Sequence, residues 1–268
     1  MFPNAGEAQR LAGGYSSTQV DRYARYPETS LARSDLATGR NRYGLTPLHW
    51  AAFRGECDLA ARMVAEGAQI DEPDRAGSTP LMRAAQTGRL PLMRQLLEQG
   101  AKVSARNHEG EDALSTALRW GHFEAASMLI QAGAAVDGPN ANGLTPLFRA
   151  ASGGDLDVVQ SLLAKGADAR KKTRTGHTPV MAAAGSGHAA IVERLLDGGA
   201  DMNASTCDGQ TALLLAVARG HVSAAQSLLR HGADVNARDA RGRTPLQVAE
   251  ENRDKAMVRC LRKDSRKL

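Results

Sequence analysis

Aromatic side chains are scarce: Phe, Trp and Tyr together make up 4% of the 268 residues. A core without large rings must be assembled from Leu, Ala, Val and Met, which suits short helices packed closely. Cysteine is almost missing. Cys57, Cys207 and Cys260 lie far apart with no C-x-x-C, which argues against a disulfide framework and fits a reducing, cytoplasmic compartment. No apolar run approaches the ~18 residues that a membrane-spanning helix needs. The N-terminus has no basic stretch followed by an apolar one, so a secretory leader is not expected. Charge is nearly balanced. Residues 253–268 hold seven bases and two acids and so carry the whole net charge of +5. A basic tail on a neutral body is not the footprint of a nucleic-acid-binding face.

What the chain does have is repetition. GLTPLHWAA starts at Gly44, GSTPLMRAA at Gly77, GLTPLFRAA at Gly143 and GHTPVMAAA at Gly176, with looser copies at Gly110, Gly209 and Gly242. The third position of each copy is Thr46, Thr79, Asp112, Thr145, Thr178, Thr211 and Thr244, always 33 residues on, without insertion or deletion. A fixed period of this size signals a solenoid. Copies begin at residues 41, 74, 107, 140, 173, 206 and 239.

The fourth copy shows the expected physics. Gly143 tolerates the positive φ of a turn. Thr145 caps a helix that starts with Pro146, where the missing N–H costs nothing. Ala150 and Ala151 are small because another helix passes close by, and Gly154 ends the helix in a left-handed turn. A second helix is expected over 155–165, its stripe made of Leu156, Val159, Leu162 and Leu163. Neither helix is long enough to persist alone in water, so each copy must bury its stripe against the next.

The period of 33 with T-P-L-H-x-A resembles the ankyrin repeat over about residues 41–264. The resemblance implies an all-α fold, an α-solenoid of stacked helix-turn-helix repeats with β-turn or hairpin fingers. Residues 1–40 fall outside the pattern and read as a polar tail. Thr29–Ala37 is a candidate short helix there, and Tyr15, Tyr23 and Tyr26 are candidate docking aromatics. Residues 265–268 form a basic end. In the last copy Arg262, Glu250 and Arg253 replace an apolar residue, a small one and the interhelical Gly, which predicts a water-facing cap, with Asn252 supplying the left-handed turn.

The frame disposes of most catalytic candidates. No phosphate-loop, nucleophile-elbow or H-E-x-x-H motif occurs. His122, His188 and His221 each follow an interhelical Gly, so they are scaffold and cannot converge on a metal. His49 holds the H of T-P-L-H, while His108 and His177 sit in turns and should be solvated. An insertion-free array offers no place for an enclosed pocket. No enzyme activity, cofactor, metal or small-molecule substrate is expected.

Binding is the alternative to catalysis. The resemblance implies two surfaces: the finger tips and the exposed face of the first helix, which line a concave groove. Interface-type residues crowd the first three copies at these positions: Arg42, Tyr43, Trp50, Phe53 and Arg54, then Arg75, then Arg119 and Trp120. Acids mark the second and third tips (Asp71, Glu72, Asp74; Glu109, Glu111, Asp112). Bases mark the fifth (Arg170, Lys171, Lys172, Arg174) and seventh (Arg238, Arg241, Arg243). The favoured reading is a monomeric scaffold for another protein. An anionic-surface or nucleic-acid binder using the basic tips is a second reading, and an exported bacterial effector or toxin-neutralising protein a third.

Overall fold

A computed structural model describes residues 39–264. The expected tail helix at Thr29–Ala37, the three tail tyrosines and the last four residues lie outside them. The chain divides into two compact units, one ending at Ala135 and one starting at Val136.

Among the described residues the first unit holds three helix pairs: α1 (Pro47–Arg54) with α2 (Cys57–Ala65), α3 (Pro80–Gln86) with α4 (Leu90–Glu98), and α5 (Ala113–Arg119) with α6 (Phe123–Gln131). The second holds four: α7 (Pro146–Gly153) with α8 (Leu156–Ala164), α9 (Pro179–Ser186) with α10 (Ala189–Asp197), α11 (Ala212–Ala218) with α12 (Val222–Arg230), and α13 (Pro245–Glu251) with α14 (Lys255–Asp264). Within each unit the odd helices pack on one another as one layer and the even helices as a second.

The helix starts follow from the caps. Each of Thr46, Thr79, Asp112, Thr145, Thr178, Thr211 and Thr244 accepts a hydrogen bond on its side chain from the N–H three residues on. The small pairs have the purpose anticipated: Ala51 and Ala52, Ala84 and Ala85, Ala150 and Ala151, and Ala183 and Ala184 are 0% exposed where odd helices meet. In α8 the buried set is Val158, Val159 and Leu162, whereas Leu156 and Leu163 are only half-buried. The buried stripe is thus turned slightly from the expected one, and α8 starts one residue later because Asp155 is its cap. The third copy keeps the frame. Asp112 Oδ1 accepts from Ser115 N at 2.8 Å, and Leu118 is buried.

The fingers are turns, and no strand forms among the described residues. Four pairs of neighbouring fingers share a backbone bond, as in Arg75 N–H to Tyr43 O (3.0 Å) and Arg174 N–H to Asn142 O (3.1 Å). Their other groups bond inward. Asn41, Asp74, Asn107, Asn140 and Asp239 each accept, on one Oδ1, the N–H groups two and four residues ahead. Thr173 and Thr206 do the same for one N–H. Gly143 needs its glycine twice over: its φ is +77°, and a Cβ there would stand 3.0 Å from Arg174 N.

The cap at the end of the second unit forms, with one correction. Arg262 and Glu250 are exposed and pair with each other at 2.9 Å. However, Asn252 stays right-handed (φ −75°), and Arg253 itself takes the left-handed turn at φ +57°. A position held by Gly in the other six copies keeps its geometry even when the residue resists it, because the packing of α14 on α12 and α13 sets the chain path. Left-handed strain in a residue with a Cβ costs ~1–2 kcal/mol, and Gly gives part of that back as freedom of the unfolded chain. Arg253→Gly should therefore raise stability by about 1 kcal/mol in urea titrations. A destabilised variant would mean that the Arg side chain itself holds the cap.

Candidate functional site

The surface where odd helices meet the fingers is built by register. Counting from the Asn, Asp or Thr that ties each finger, the side chains nine and twelve residues on lie one helical turn apart on one face of the odd helix. In the second copy the first of these is Arg83. It binds Asp74 of its own finger through Nε (3.2 Å) and through a shorter Nη2 contact, and it donates to Gln86 at 2.9 Å. In the third copy the second of these is Arg119. Its Nη1 lies 3.0 Å from both Glu109 and Glu111. In the seventh, Arg243 takes Asp239 with two N–H groups (2.9 and 2.7 Å) and Glu251 with a third (2.8 Å).

The first copy is different. Trp50 and Phe53 occupy the same two positions and stack, with centroids 6.3 Å apart and planes at 14°. The Arg54 guanidinium lies 4.8 Å over the Trp50 ring, and Arg42 lies 4.8 Å over Tyr43. Tyr43, Trp50 and Phe53 are half-buried, while Arg42, Arg54 and Arg75 are exposed. Phe53 is also tied to the next copy through its carbonyl, which accepts from Thr87 Oγ1 at 3.0 Å and from Arg89 Nε at 3.4 Å.

The structure thus brings Trp50, Phe53 and Arg54 together on α1 and Arg42, Tyr43 and Arg75 together at the first two fingers. Arg119 is not an open contact residue, since its side chain is 14% exposed and bound to two carboxylates. Trp120 is half-buried at the end of α5.

The charges expected to mark the tips are mostly spent inside. Among the acids, Asp74, Glu111 and Asp112 are buried, Glu72 pairs with Arg40, and Asp71 accepts the Lys102 N–H at 2.9 Å. Among the bases, Arg170 pairs with Asp168 at 3.2 Å, Lys171 with Asp137 at 3.1 Å, and Arg243 with Asp239 and Glu251. Arg238 donates to Gly242 O at 2.7 Å. Lys172, Arg174 and Arg241 are exposed. Reasoning from sequence missed this pairing, and it missed the finger-tying residue; the recurrence of Asn, Asp or Thr three residues before each turn Gly was the available signal.

The histidines act as struts. His49, 1% exposed, sets Nδ1 against the Thr46 N–H (3.2 Å) and hydroxyl (2.8 Å), and Nε2 against Ser78 O (2.9 Å). The carbonyl requires Nε2–H, so Nδ1 is the acceptor and the ring is neutral. Burial accordingly lowers its pKa to about 4. His122, His188 and His221 reach back to Gln86, Ser152 and Gly185 carbonyls of the preceding copies at 3.1–3.2 Å. His177, expected to be solvated, is half-buried and meets Thr175 Oγ1 at 2.9 Å, and burial lowers its pKa too. Among the described residues no group of three His, Cys, Asp or Glu could hold a metal ion, and no helix is long and apolar enough to cross a membrane.

The model of a family described as ankyrin repeats (3 copies) matches residues 30–107, 100–173, 148–239 and 180–267. The solved structure of the human ASB11 ankyrin repeat domain is similar at a TM-score of 0.73 and 23% identity, over 82% of this chain and 98% of that one. The ankyrin repeat domain of Bcl-3, described as a unique member of the IkappaB protein family, is similar at a TM-score of 0.66 and 30% identity, over 82% and 99%. No curated protein matches.

Proposed function

Since the chain belongs to the ankyrin repeat family, whose fold serves protein–protein interaction, we propose that it is a non-enzymatic scaffold that binds another protein. The binding face is that of the first unit, formed by odd-helix ends and finger tips. The supporting observation is the cluster on the first copy: Trp50 stacked on Phe53 under Arg54, with Arg42 over Tyr43. Trp, Tyr and Arg dominate interface energetics, the two aromatics because they bury much area on only two rotatable bonds. Here they stand on a helix and a tied turn, so little freedom is left to lose on binding.

The tagged chain used as bait, compared with Phe53→Ala/Trp120→Ala, tests this reading. Partners retained by the native chain should drop at least about tenfold with the variant, the loss of one or two hot-spot side chains. An unchanged set of partners would remove this face from consideration.

The second reading, an anionic-surface or nucleic-acid binder, has less support. Arg170, Lys171 and Arg243 are already paired with Asp168, Asp137 and Asp239, so few phosphate contacts remain to drive salt-dependent affinity.

A further inference from the structure

The first copy lacks a pairing that three other copies make. In the second, third and seventh, the arginine on the finger-facing surface finds its acid within its own copy: Arg83 with Asp74, Arg119 with Glu109 and Glu111, Arg243 with Asp239 and Glu251. In the first copy the finger and α1, residues 41–55, contain no Asp or Glu at all. The matching stretches of the fourth and fifth copies, residues 140–154 and 173–187, are also without Asp or Glu, but only the first combines that lack with Tyr, Trp and Phe. Residues 41–55 carry Arg42 and Arg54, and the neighbouring finger adds Arg75, whose N–H binds Tyr43 O at 3.0 Å. Arg89 stands beside Phe53 as well. Glu56, at 3.6 Å, is the acid that approaches Arg54. The acid of the second finger, Asp74, is 1% exposed on its side chain and already committed to Arg83.

The manner in which Arg42 is held matters. Its guanidinium lies over the Tyr43 ring. Stacking orders the plane of the group yet uses none of its N–H donors, and these form a fork matched to a carboxylate. Beside it, Tyr43, Trp50 and Phe53 supply half-buried apolar surface.

We propose that this face takes an acidic segment of the partner protein, its carboxylates on Arg42 and Arg75 and its apolar side chains against Tyr43, Trp50 and Phe53. The inference rests on the scaffold reading above and narrows it to one chemistry. Carboxylates are favoured over a phosphate backbone because this face is short and floored by aromatic rings, and the arginines of the next two copies on the same surface, Arg83 and Arg119, are already paired.

The probe is a fluorescein-labelled synthetic peptide of Glu, Leu and Ser, followed by anisotropy against the full chain at low and physiological salt, beside a twin with every Glu replaced by Gln. The acidic peptide should bind. The Gln twin should bind at least about tenfold more weakly, as should the acidic peptide to Arg42→Glu/Arg75→Glu, since close opposite charges set orientation and register as well as attraction. Arg62→Glu/Arg94→Glu makes the same charge change on exposed residues of α2 and α4 and should leave affinity within about twofold, as expected for charges distant from the contact. Equal binding of the Gln twin, equal loss with the control variant, or displacement of the peptide by an equal charge concentration of duplex DNA would each overturn the proposal. Cross-links from residues 1–38 to Arg42 or Arg75 that the peptide fails to displace would overturn it too. If Phe53→Ala/Trp120→Ala abolishes partner capture while Arg42→Glu/Arg75→Glu leaves it intact, the scaffold reading stands and the acidic partner falls.

Discussion

Replacing Asp74 by Ala is expected to destabilise the first unit by about 4 kcal/mol, in the range found when one member of a buried ion pair is removed. Asp74 does two jobs with its two oxygens. Oδ1 takes the Ala76 and Ser78 N–H groups at 2.8 and 3.0 Å and so closes the second finger. Oδ2 holds Arg83, whose side chain is 12% exposed. Alanine leaves two turn N–H groups without their acceptor and takes the carboxylate from a largely buried guanidinium.

Two companions separate the jobs. Asp74→Asn keeps the turn, because Asn41, Asn107 and Asn140 close their fingers with the same two bonds. It should cost about 2 kcal/mol, the scale of a hydrogen bond to a charged group. Asp74→Ala/Arg83→Met removes the stranded cation and should recover a large part of the loss, as buried pairs replaced by apolar groups often do. Urea titration followed by Trp emission reads the right unit, since Trp50 and Trp120 both lie before Ala135. A single Asp74→Ala variant within about 1 kcal/mol of the native chain would show that the pair is worth no more than a surface bridge.

The second large effect is a dependence on pH. Folded His49 binds a proton only near pH 4 because its burial disfavours the charged ring, and the unfolded residue binds one near 6.5. The unfolded chain therefore takes up more protons between these values, so stability falls as pH falls. The contribution is fully present above pH 6.5 and is lost as pH drops through about 4. Its size is about 3 kcal/mol, since each tenfold difference in proton affinity between the folded and unfolded ring is worth about 1.4 kcal/mol.

Burial also holds His177 and His221 below the usual range, so the background needs a control. His49→Gln provides one. Gln247, at the same position in the seventh copy, accepts the Thr244 N–H at 2.9 Å and completes a capping box without a titrating ring. Between pH 7 and pH 4.5 the native chain should lose about 2 kcal/mol more than His49→Gln. Parallel losses would mean that the ring is not held neutral by its Thr46 and Ser78 contacts.

Much of this was written in short-range patterns. Thr145 and Pro146 announce a helix start because a cap bonds only three residues ahead, and the observed bond goes from Phe148 N to Thr145 Oγ1 at 3.1 Å. Gly143 and Gly154 announce turns because positive φ is a property of one residue. Errors began where a neighbour intervened. Asn252 is the better left-handed residue by chemistry, yet packing of α14 puts that turn on Arg253. His177 reads as a turn residue facing water, yet it is half-buried against its own finger.

By itself, then, the sequence determined the period, the helix pairs and the caps, since each is written in patterns of a few residues, and it placed three histidines at one recurring position beside the interhelical Gly. Only the tertiary structure decided which charges are available. Arg83 meets an acid nine residues back, Arg119 meets acids eight and ten back, and Lys171 reaches Asp137 in the preceding copy. Such pairings depend on where a turn aims its side chains relative to a helix face. They neutralise most of the apparent tip pattern and leave the aromatic and arginine surface of the first copy standing apart.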